Sequence, residues 1–372
     1  MSHRAALQRP SSASWILPAL AITAALAGLA IARLPLSTLV ILSGAGLAIA
    51  GALIEPIIGL IATLALGPWA AWQGTYLPGV LPTDVGQLSI ALMLGAWGLR
   101  GLIRREFTLP RMPLLLPLSI FTGWAAVTLL WAPDYTFGLP EVLKWAEMIL
   151  IALFVVDAAQ RRGVKWIVFG LLLSAVVQAL TGVYEARLRG IGPEGFRLAE
   201  GVYRAYGSFE QPNPFGGFIG LNLPIAIGLA LALWAQVLMK GNPRIFTNRH
   251  EKASWRFVLF VDLFAALLVS IVAAFLAVAL YLSFSRGAWL GAVAALLVMG
   301  LFLPRRRWIG LAVIGGLIAI GLTLNSAGLL PQSISDRFAD IGTLADFRDV
   351  RGVKINDANY AVIERLAHWQ AA

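Results

Sequence analysis

Eleven apolar stretches of about twenty residues recur between residues 15 and 325, and no other feature constrains this chain so tightly. Each is long enough to cross a hydrocarbon layer of about 30 Å as a helix. Lipid gives backbone N–H and C=O groups no hydrogen-bond partner, so such a segment must close its own bonds. A barrel would alternate polar and apolar residues, and these runs do not. The spacing predicts an all-α, polytopic helical membrane protein with helices near 15–33, 36–54, 57–72, 85–103, 114–131, 141–160, 164–185, 213–237, 257–282, 287–303 and 308–325. The third run is short and holds Gly67 and Pro68, which predicts a tilted, broken or re-entrant segment. The first follows only two arginines and leads into further spans, so it reads as a retained helix and not a cleaved leader. With 13% charged and 59% hydrophobic residues, the chain cannot dress a water-facing surface, which in soluble proteins takes about 25% charge.

Basic residues near helix ends resist transfer across a membrane, so their distribution sets direction. With the N-terminus in the cytoplasm, the inner connections hold 17 Lys and Arg and the outer ones 11, Lys144 inside a span completing the 29. This predicts a cytoplasmic tail at 1–14 and a helical body at 15–325, with an outer loop at 186–211 and an inner loop at 238–256. Residues 326–372 then begin a large outer loop. The net charge of +10 is mostly this topology signal, an inner belt facing anionic lipid and not a nucleic-acid surface. Without cysteine there is no disulfide or thiol chemistry, and His3, His250 and His368 lack metal-ligand spacing, so neither metal nor cofactor is expected. No phosphate-binding loop, dinucleotide fingerprint, nucleophile elbow or HExxH motif is present. The missing cysteines also make the topology testable. A cysteine placed at Gly79, Gly192 or Ser335 is expected to react with an impermeant thiol reagent from outside, and one at Asn242 is not. Labelling at 242 with protection at 192 reverses the orientation.

Some residues are left over by the topology. The outer loop carries Arg187, Arg189, Arg197 and Arg204 against the charge rule, beside Tyr203, Tyr206, Phe209 and Phe215. Guanidinium forks match phosphate oxygens, so these residues make a candidate anion site with stacking rings; alternatively, Glu194, Glu200 and Glu210 neutralise the arginines as exposed ion pairs. The turn at 283–289, SFSRGAW, pins Arg286 between two apolar spans, where it must find water, a partner, a ligand or the headgroup layer. Gln178, Thr181 and Glu185 share one helical face, a polar stripe suited to an outer-side cavity, with Tyr206 and Asn213 as further wall residues. Glu141, Lys144 and Glu147 share a face likewise, read either as a structural ion pair or as part of that wall. Asp157 and Asp262 suit interfacial partners for nearby basic residues, and Gly216, Gly217 and Gly220 suit close helix contact.

Three places in the chain resemble one family. They are the Arg204-Ala-Tyr-Gly-Ser-Phe-Glu-Gln-Pro-Asn-Pro-Phe-Gly stretch, the Ser283-Phe-Ser-Arg286-Gly turn, and the Asn359-Tyr-Ala-Val-Ile-Glu-Arg365-Leu-Ala-His-Trp369 run. With the helix pattern they resemble the O-antigen ligase and polymerase superfamily, bacterial inner-membrane glycosyltransferases that act on undecaprenyl-diphosphate-linked glycans. The resemblance implies metal-independent transfer of a glycan to a hydroxyl of lipid A core, a growing glycan or a protein, in cell-surface polysaccharide synthesis. It implies that Arg204 and Arg286 hold the diphosphate at the periplasmic face. The family's catalytic His follows the large periplasmic loop, which places it beyond Ala372; His368 is not expected to fill the role, and the 372 residues alone are expected to lack the base. A transporter or flippase for an anionic or lipid-linked substrate is the alternative reading, and a non-catalytic partner in an envelope complex a third.

Overall fold

The computed structural model describes residues 49–76, 84–105, 109–132, 134–240, 249–302, 307–326 and 360–371. These residues are mostly helical. The spans expected at 15–33 and, up to residue 48, at 36–54 lie outside them, as do the tail 1–14, residues 241–248 of the inner loop and residues 327–359 of the outer segment. The chain divides into two compact units, with the division at Ser174 and Ala175 inside a helix.

The first unit is built on α1 (Pro56–Leu66), α2 (Ala70–Tyr76), α3 (Val85–Arg104), α4 (Leu115–Thr128), α5 (Tyr135–Arg162) and the first half of α6 (Val164–Arg187). Proline near the start of α1 has no N–H to leave unsatisfied. Aspartates supply the N-caps of α3 and α5: Asp84 accepts from the Gln87 N–H at 2.8 Å and Asp134 from the Thr136 N–H at 2.7 Å. The Thr136 bonds, side chain first and backbone second, hold the Asp134 carboxyl below its ordinary value. Ile57, Leu60, Met93, Phe154 and Ala158 form the core, with Trp97 edge-on to Phe154 at 5.7 Å. The expected break at Gly67 and Pro68 takes the form of one 3₁₀ turn, Gly67–Trp69, between α1 and α2. Pro68 cannot donate to the α-helical ladder, so the helix tightens there, and Pro56–Thr75 still runs as one apolar rod.

The second unit contains the rest of α6, the hairpin β1 (Arg197–Ala199) and β2 (Val202–Tyr203), then α7 (Pro212–Lys240), α8 (Arg249–Leu282), α9 (Arg286–Phe302), α10 (Arg307–Ser326) and α11 (Tyr360–Ala371). α7 packs along α8 and against α9, and α10 packs on α9. Gly216 lets α7 approach the turn before α9, since a Cβ there would lie 2.8 Å from Ser283 Oγ and 2.9 Å from Ser285 Cβ. Gly220 also faces α9, whereas Gly217, expected to do the same, meets open space.

Among the described residues, five helices are long and apolar enough to cross a membrane: Pro56–Thr75, Val85–Arg104, Val164–Arg187, Pro212–Met239 and Val258–Leu282. Leu115–Trp131 and Arg286–Phe302 are apolar but shorter, and α5 carries Glu141, Lys144, Glu147 and Asp157 along its 28 residues. The outward faces are oily: Leu102, Leu221 and Ile271 are 72%, 76% and 65% exposed. So much exposed apolar surface is unfavourable in water and natural in lipid, so this is a membrane-embedded helical protein.

Candidate functional site

In the second unit two segments distant in sequence meet, the stretch following β2 and the turn between α8 and α9. The Ala205 N–H donates to the Leu282 carbonyl at 2.8 Å. Arg204 completes the join: its Nε donates to the Ser283 carbonyl at 2.9 Å and its Nη2 to the Phe284 carbonyl at 3.2 Å. The same Nη2 reaches Asn213 Oδ1 at 3.3 Å. The guanidinium donates here from two nitrogens set apart in one plane, a spread that the single nitrogen of an ammonium lacks. Arg204, predicted as a ligand-holding cation, is thus engaged by the turn that carries Arg286.

That turn is strained and enclosed. Phe284 has φ +48°, a left-handed conformation costly for a bulky residue. Such geometry persists where the surroundings over-determine it, and here they do. Ser283, Phe284 and Ser285 are buried, Ser283 Oγ accepts from the Ser285 N–H at 3.2 Å, and Trp289 Nε1 donates to the Leu280 carbonyl at 2.9 Å while its ring stacks on Tyr281. Arg286 opens α9 and is half-buried. The turn therefore fixes where its backbone sits.

α6 supports the loop from the other side. Gln178 and Glu185, predicted to share a face, are both buried. Glu185 Oε2 accepts from the Gly207 N–H at 2.7 Å, and Gln178 Oε1 accepts from the Ser208 N–H at 3.2 Å and the Ser208 hydroxyl at 2.9 Å. Gly207 is required between them, with φ +53° and no room for a Cβ against Phe215 at 2.9 Å. Gln178 Nε2 has no hydrogen-bond partner among the described residues, a buried donor of the kind that usually meets water or a ligand. Thr181 differs from its two neighbours on the stripe, bonding the Val177 carbonyl of its own helix.

Several expectations need correction. Tyr203, Tyr206 and Phe215 are not exposed stacking rings; they are 8%, 1% and 0% exposed and form the interior of the loop. Apolar rings beside glycines pack inward, and Tyr206 keeps only its hydroxyl for Arg189, at 3.2 Å. Lys144 lies exposed in the first unit, paired with Glu141 at 2.6 Å, the ion-pair arrangement weighed for that face. Arg197 pairs with Glu194 at 2.9 Å, the neutralising arrangement weighed for the loop arginines. His368 is exposed on α11. Among the described residues, no three His, Asp or Glu side chains gather as a metal site.

Glu210 was read from sequence only as a counter-charge, and its position is more specific. It has φ +55° at the end of the loop's 3₁₀ turn and lies within electrostatic reach of Glu185 and Arg189. Burial pushes its carboxyl above the ordinary value, with Arg189 opposing. A raised carboxyl binds its proton more tightly folded than unfolded. Its stabilising contribution is therefore present below the ordinary Glu value, about 4.3, and is lost as pH rises through the folded value. Melting in detergent from pH 4 to 7 is expected to show wild type losing stability over that window relative to Glu210→Gln. Parallel pH profiles for the two proteins would contradict it.

Comparison with family models, curated proteins and solved structures finds no match to this chain.

Proposed function

We propose that this protein is an O-antigen ligase-like or polymerase-like glycosyltransferase of the bacterial inner membrane, and that the loop at 204–213 with the turn at 283–286 holds the diphosphate of an undecaprenyl-linked glycan at the periplasmic face. The observation that carries the reading is the Arg204 junction. It joins the two sequence places that resemble the family, 79 residues apart, and sets Arg286 at the start of α9 beside them. On this reading the chain crosses the membrane about eleven times with its N-terminus in the cytoplasm.

The chemistry asked of the site is electrostatic. An acceptor hydroxyl attacks the anomeric carbon, the new C–O bond forms as the bond to the diphosphate breaks, and the hydroxyl proton passes to a base. Negative charge grows on the departing diphosphate, and a guanidinium already in place stabilises it without reorganising. Only the part of that interaction that strengthens as the charge grows speeds the reaction. On this reading Arg286 makes this contact, and Arg204 is a positioning residue that fixes the turn.

The test follows the donor's fate in proteoliposomes containing the protein as its own cells make it. The expected result is glycan joined to acceptor with undecaprenyl diphosphate released. Intact glycan lipid moved to the opposite leaflet would replace the transferase reading with a flippase, and a donor neither altered nor moved would remove both.

A further inference from the structure

The first unit holds a cavity of about 290 Å³ where the ends of three helices converge: the N-terminal end of α1 and the last turns of α3 and α5. Arg100, Arg104, Arg161 and Arg162 line it, together with Glu55 and Asp157. Both carboxylates are already satisfied. Glu55 accepts from Arg100 at 3.0 Å and also from Arg162, and Asp157 accepts from Arg161 at 2.7 Å and from the Trp97 indole at 2.9 Å. Four guanidiniums against two carboxylates leave a surplus of two positive charges in one recess. Arg104 has no ion-pair partner among the described residues, and Arg100 spends only Nη1, on Glu55 and the Ile54 carbonyl. Its Nε and Nη2 donors have none among those residues.

The charge rule accounts for arginines at these helix ends one by one, and the structure adds that four of them line a single recess. The Arg100 and Glu55 side chains are only 20% and 22% exposed, so charges here are screened less than at an open surface. Glu55, held by two guanidiniums, already shows how the recess receives an anion with paired oxygens. The volume is near the lower end of small-molecule pockets, roughly 300–1,000 Å³, which suits a headgroup-sized ligand better than a nucleotide. The recess also opens at the ends of apolar helices, the depth at which phosphate headgroups lie.

From these residues we infer that the recess is a binding site for a phosphate group, of an anionic phospholipid or of a small soluble phosphate compound. The site shares no residue with the turn at 283–286, and the inference does not depend on the transferase reading. The probes are inorganic phosphate, titrated calorimetrically into the detergent-purified full chain, and nanodiscs of phosphatidylglycerol or phosphatidylcholine, with retained lipid read by native mass spectrometry. Both are run on wild type and in an Arg286→Ala background, so that phosphate held at the outer turn is not mistaken for this site. Saturable phosphate binding that weakens with salt is expected, reduced roughly tenfold by Arg104→Gln. That substitution leaves the Glu55 and Asp157 pairs in place, so melting should not change. An Arg100→Gln variant gives a second reading from the paired side of the recess. Selective retention of phosphatidylglycerol, lost in Arg104→Gln, identifies the lipid as source; phosphate binding without lipid preference identifies a soluble ligand. Absence of saturable binding of either probe, or equal binding by wild type, Arg104→Gln and Arg100→Gln, overturns the inference.

Discussion

Arg286→Ala is expected to lower the protein's affinity for undecaprenyl diphosphate by at least tenfold and, in the protein as its own cells make it, to abolish most glycan transfer, while the protein still inserts and folds. A charge-assisted hydrogen bond contributes about 1.5–3 kcal/mol, which corresponds to a factor of roughly ten or more in binding. Its loss leaves in place the Arg204 fork, the Ser283 hydroxyl and the Trp289 indole, bonds that hold the shape of the turn. Arg286→Lys should recover only part of the affinity, since an ammonium keeps the charge and loses the fork. Wild-type affinity in Arg286→Ala, measured with labelled lipid in nanodiscs, would return Arg286 to the headgroup layer as a snorkelling residue.

Arg204→Ala is expected to do something different, lowering stability and binding together. The truncation strips donors from two part-buried carbonyls, Ser283 and Phe284, and from Asn213. Each buried acceptor left without a partner costs about 1–3 kcal/mol, and the left-handed Phe284 loses part of what enforces it. A net loss of about 2–4 kcal/mol follows, read as a lower melting midpoint in detergent. Arg204→Lys should restore less than half, because one ammonium nitrogen cannot occupy the positions of both Nε and Nη2. The pair of variants separates the two roles: Arg286→Ala loses ligand with the fold intact, and Arg204→Ala loses both. Wild-type melting in Arg204→Ala would remove its positioning role.

Which parts were legible in the sequence follows from the range over which each feature is determined. Helix-forming runs are local, so the apolar rods of α1, α3, α6, α7 and α8 were readable from hydropathy alone. The stripe of Gln178 and Glu185 was readable too, because helical periodicity fixes a shared face. What that face touches was not readable: the partners at Gly207 and Ser208 depend on a fold 22 and 30 residues away. The rings of Tyr206 and Phe215 were misjudged for the same reason. An aromatic in a glycine-rich loop looks exposed until the glycines are seen to make room for it. Arg204 was singled out for its charge, yet its acceptors are backbone carbonyls, which carry no residue-type signature. The basic recess is not legible in the sequence because Arg100 and Arg162 lie near the ends of two separate helices, Glu55 caps a third, and each arginine fits a topology rule by itself.

The central claim, that the turn at 283–286 recognises a lipid-borne diphosphate, is tested most directly by a headgroup series. Equilibrium binding of undecaprenol, undecaprenyl phosphate and undecaprenyl diphosphate would be compared in nanodiscs carrying wild-type protein or Arg286→Ala. Affinity is expected to rise along the series for wild type, with the step to the diphosphate lost in a folded Arg286→Ala protein. Equal affinity for undecaprenol and its diphosphate, or the same rise in both proteins, would contradict it.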